Sequence, residues 1–69
     1  MYNTDLLSGS FSKTSPNPEG ALSSATEQYN RWLDTVKAKS VETFQVTHVQ
    51  FDLNGVTNFT YAITATVKK

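Results

Sequence analysis

Apolar positions along this chain repeat with two different periods. Between positions 22 and 36 the residues Leu22, Ala25, Tyr29, Trp32, Leu33 and Val36 recur at three- and four-residue spacing, which is one face of an α-helix. Glu27, Asn30, Arg31, Asp34 and Lys37 occupy the opposite face. From position 41 the period shortens to two. Phe59, Tyr61, Ile63, Ala65 and Val67 alternate with Asn58, Thr60, Ala62, Thr64 and Thr66, the pattern of a half-buried strand with one apolar and one threonine-rich face. Asn17-Pro18-Glu19 supplies a start for the helix: Asn caps, Pro suits the first helical position, and Glu complements the positive end of the dipole. Ser24-Ala25-Thr26-Glu27 spells a capping box and offers a later start. Leu22 belongs to the apolar stripe and favours the earlier one, although Gly20 weakens that first turn by about 1 kcal/mol. The spacing predicts a helix over about 18–39, with Lys37 and Lys39 against the negative end of its dipole.

A hairpin is predicted to follow, with strands over about 41–53 and 56–67. Its first strand changes phase, because Phe44 and Val46 stand at even positions while Val49, Phe51 and Leu53 stand at odd ones. Unbroken alternation sends one of these groups to the far face of the sheet. Two closures are open. Asp52-Leu53-Asn54-Gly55 suits a type I turn with a left-handed Gly. Combined with a β-bulge near Thr47-His48, it puts Phe44, Val46, Val49 and Phe51 on one face with Phe59, Tyr61, Ile63, Ala65 and Val67. A two-residue Asn54-Gly55 turn without that bulge places Val49, Phe51 and Leu53 on the face opposite Phe59 and Tyr61, where they want a partner.

Residues 1–17 are rich in Ser, Thr, Asn, Gly and Pro and predict a flexible arm. Leu6, Leu7 and Phe11 offer an alternative in which the arm docks on the core or adds a strand. The expected fold class is therefore α+β: one amphipathic helix packed on an antiparallel β-hairpin, preceded by a flexible arm.

With 69 residues and no cysteine, the chain is one small domain without disulfides or thiolate metal sites. His48 is its one histidine, so a single chain cannot supply a multi-histidine site, and no cofactor or metal is expected. Domains this small usually need a staple or association. Two strands and a helix also leave sheet edges open. A homodimer is predicted, with sheets joined edge to edge or helices packed together. The six basic and six acidic residues balance, which removes the electrostatic footprint of most nucleic-acid binders. No apolar run approaches the ~20 residues of a membrane span. The start Met1-Tyr2-Asn3-Thr4-Asp5 has neither the basic nor the apolar region of a signal peptide, so a cytoplasmic protein is expected.

Candidate chemistry is sparse. His48 lacks a neighbour to orient it: Glu42 and Asp52 lie too far along the same strand. The acids are scattered singly, and no phosphate loop or nucleophile elbow occurs. A non-enzymatic protein is expected. Trp32 is an aromatic of the hot-spot kind, although its place on the apolar stripe equally suits a core residue. The candidate interaction surface is Val49, Phe51, Leu53 and Trp32. An alternative is a single-stranded nucleic-acid binder stacking bases on Phe59 and Tyr61, which lack the flanking basic residues of such modules.

Tyr29-Asn30-Arg31-Trp32-Leu33, then Val46-Thr47-His48-Val49-Gln50-Phe51 and Tyr61-Ala62-Ile63-Thr64-Ala65, follow a helix-then-two-strand pattern. Over about residues 27–67 the chain resembles a group of small Gram-positive bacterial and phage proteins, some labelled sporulation-associated. The resemblance implies an α+β fold, no established biochemical activity and no site residues. That group has a strand before the helix, which the soft composition of residues 1–17 does not suggest here. The function expected is that of a small adaptor or regulatory protein, bacterial or phage, acting on an unknown protein partner.

Overall fold

A computed structural model describes residues 5–69. The fold is α+β, with elements β1 (Leu6–Ser15), α1 (Pro18–Val36), β2 (Ser40–Leu53) and β3 (Val56–Lys68). The three strands form one sheet in the order β1-β3-β2, with both pairings antiparallel. Strand β3 is thus central, and β1 and β2 run parallel to each other on either side of it.

One correction concerns residues 6–15, expected as a flexible arm and found as an edge strand. Leu7, Gly9 and Phe11 turn toward the helix and are half-buried, while Ser8, Ser10 and Ser12 face outward. The serines that suggested a loop instead extend the hydroxyl-rich face of β3. Ser8 Oγ lies 3.0 Å from Thr66 Oγ1, and Thr14 Oγ1 lies 2.7 Å from Thr60 Oγ1. Residues 1–4 of the expected arm lie outside the described residues.

The helix begins where expected. The Asn17 side chain accepts from the amides of Glu19 and Gly20, at 3.0 and 3.3 Å. It ends at Val36, short of the expected 39, because Lys37 adopts a left-handed conformation (φ 54°) and its amide bonds to the Leu33 carbonyl. Lys37 and Lys39 therefore lie past the last turn. On the helix's outer face Arg31 pairs with Glu27.

Of the two hairpin closures open in the sequence, the two-residue Asn54-Gly55 turn is the one present. Asn54 (φ 52°) and Gly55 (φ 79°) are both left-handed, as a two-residue type I′ turn requires, and Leu53 pairs with Val56. The register continues without a break down to Thr43 opposite Thr66, so there is no bulge at Thr47-His48. The shift falls instead between Val41 and Thr43. There the Thr43 hydroxyl accepts from the Thr66 amide at 3.1 Å, so a side chain restores the ladder bond that the extra residue displaces.

The core lies between the helix and the two strands beneath it. Ala21, Ala25 and Tyr29 of α1 and Ile63, Ala65 and Val67 of β3 are buried; Ala25, Tyr29, Ile63 and Ala65 form one cluster, with Phe11, Trp32, Leu33 and Tyr61 half-buried around it. Small residues on both layers let the helix approach closely. It packs on β1 and β3, and it reaches toward β2 through the Tyr29 ring, whose centroid is 5.3 Å from that of Phe44.

Candidate interaction surface

Strand β2 is the exposed member of the sheet: all of its 14 residues are exposed, although six of them are large and apolar. Two structural causes combine. The helix covers the neighbouring strands and leaves the inner face of β2 open, so Val41, Phe44 and Val46 remain accessible. The two-residue turn sends Val49, Phe51 and Leu53 to the outer face, where they stand opposite Thr60, Asn58 and Val56. Val49 and Leu53 are each 57% exposed and Val56 48%, so these residues form an apolar patch near the hairpin tip. The first strand ends opposite Phe59, so the tip beyond it is a two-stranded projection.

The candidate residues divide accordingly. Val49, Phe51 and Leu53 stand side by side on the outer face, and Val56 joins them, a residue overlooked in the sequence because its role depends on the turn. Trp32 sits apart on the helix side, half-buried, its ring 5.3 Å from Phe11 and 6.4 Å from Tyr29. The remainder of the outer face is threonine and serine, where part of the hydroxyl capacity is used by cross-strand pairs.

His48 is exposed on the inner face and stacks on Tyr61 across the strand pair, with centroids 5.1 Å apart. Phe59 and Tyr61 lie on the helix side of the sheet and are half-buried, so they do not form an open stacking platform. Among the described residues, no three His, Asp or Glu side chains gather to hold a metal. A shallow, open depression lies on the outer helix face, around Leu22, Thr26, Glu27 and Arg31. No helix among the described residues is long and apolar enough to cross a membrane.

The comparisons with known proteins add no relative: no family model, curated protein or solved structure matches the chain.

Proposed function

We propose that this chain is a small non-enzymatic interaction protein, an adaptor or regulator that associates with itself and presents its hairpin to a protein partner. The exposure of β2 carries this conclusion. Soluble domains scatter single apolar residues over their surface, whereas contiguous apolar patches mark interaction sites. Here Val49, Phe51, Leu53 and Val56 are contiguous, uncharged and held on a strand pair whose turn fixes their face. A partner surface that is itself apolar and weakly charged fits them best.

The test uses the full chain immobilised from its own cell background, beside the double variant Leu53→Glu/Val56→Glu, which alters the exposed hairpin tip. Equal circular dichroism establishes that both fold, because neither side chain belongs to the core. Proteins retained by the wild type and released by the double variant support the proposal. Identical retention by both contradicts it. Titration with a mixed-sequence oligonucleotide at low salt should leave Trp32 emission unchanged. Saturable quenching that weakens with salt would favour nucleic-acid binding instead.

A further inference from the structure

We infer that the partner at the open edge of β2 is a second copy of this chain, the two β2 strands pairing antiparallel about a two-fold axis to make one six-stranded sheet. This deepens the interaction function proposed above and rests on it.

The two edges of the sheet differ in the way that matters for pairing. Edge strands are usually protected by charge, proline, bulges or a covering element. On the β1 edge Lys13 supplies a charge, the helix packs over the strand, and Gln28 Nε2 donates to the Ser12 carbonyl at 3.2 Å. The β2 edge has none of these between Thr43 and Phe51. That stretch holds no charged residue and no proline, its ladder is regular, and the bulge lies before it. An unpaired row of backbone groups flanked by Phe44, Val46, Val49 and Phe51 is a template for another strand.

Neutrality identifies the strand that fits. An edge without charge has nothing to select a charged partner, and it pairs with its own copy without repulsion. In an antiparallel two-fold pair each residue at one position meets a residue on the same face of the partner. Centring the axis on Val46 sets Val46 beside its own copy and Phe44 beside His48 on one face, and Thr43 beside Val49 on the other, so β-branched and aromatic side chains meet on both faces. In that register Glu42 falls opposite Gln50 and Asp52 near Ser40, so neither acid meets another acid, as they would with the axis on Thr47.

Size agrees. A 14-residue strand is about 48 Å long at ~3.4 Å per residue. With a molecular thickness of 13 Å, the edge presents about 600 Å² in projection. A standard interface buries about 800 Å² of accessible surface per partner, with about 600 Å² at the low end, so pairing along the whole edge reaches that range. Association through the helices has no comparable support, since their outer face carries Glu27, Asn30, Arg31 and Asp34. It would also leave β2 unpaired.

Two measurements test the pairing. Sedimentation equilibrium of the unmodified chain should give a dimer at tens of micromolar, and a strict monomer there overturns the inference. The natural chain has no cysteine, so single substitutions report proximity cleanly. Under mild oxidation, one or more of Val46→Cys, Thr47→Cys and His48→Cys should form a disulfide dimer at least tenfold faster than Ser10→Cys on β1 or Asn30→Cys on the helix. Faster cross-linking at either control site overturns the inference even if a dimer forms. The two proposals fail separately. A monomer that still retains a patch-dependent protein removes the paired edge alone. A β2-linked dimer that retains no such protein removes the adaptor function alone.

Discussion

Gly9 is closely enclosed beneath the helix. A Cβ built there would lie 2.8 Å from Phe11 Cζ and 2.9 Å from Trp32 Cε2, so the aromatic pair occupies the space a side chain would need. Gly9→Val should destabilise the fold by about 1–3 kcal/mol, the usual penalty for overpacking, measured by urea unfolding followed through Trp32 emission. An unchanged midpoint would show that the rings move aside freely. The same residue explains why β1 was hard to read. A glycine at an inward position interrupts the alternation of Leu7 and Phe11, and the outward serines look like loop composition until β3 is placed beside them. The candidate site was easier, because Val49, Phe51 and Leu53 were out of phase with Phe44 and Val46 in the sequence itself. Which of the two groups faced outward depended on the turn, and Val56 became visible only with it.

At the scale of elements, local signals set the helix start and pairing set the sheet. Asn17 has a cap's residue type, position and hydrogen bonds, and Asn17→Ala should cost about 1 kcal/mol, read as a lower melting temperature by circular dichroism at 222 nm. The helix end had no comparable signal. Lys37 holds a left-handed backbone that favours glycine, and that conformation costs an ordinary residue about 1–2 kcal/mol. Glycine's greater freedom in the unfolded chain offsets part of the gain. Lys37→Gly should therefore raise stability by about 0.5–1 kcal/mol in the same melting experiment, and a lower melting temperature would contradict the cap assignment. The hairpin strands were legible to within a residue or so because their alternation is local. The bulge between Val41 and Thr43 was not, since it depends on a hydroxyl of one strand meeting an amide of another.

The whole molecule is elongated, with extents of 51 × 22 × 13 Å. Its Cα radius of gyration is 14.3 Å, against about 11 Å for a compact chain of this length. One helix has covered two strands and left the third outside the core. Among the described residues, the buried hydrophobic ones lie on α1 and β3, and β2 contributes none. Pairing β2 with a second copy would add the stabilisation that small domains commonly draw from association, and it would leave the outer patch free for another protein.

The most direct measurement is amide hydrogen exchange along β2 at several protein concentrations. The N–H groups turned away from β3 have no sheet partner in a single chain. Pairing between copies predicts that alternate amides between Thr43 and Leu53 become protected as concentration rises, together with the appearance of the dimer. If those amides exchange at the same unprotected rate at every concentration, while the β3 amides remain protected, the edge is not a pairing surface between copies.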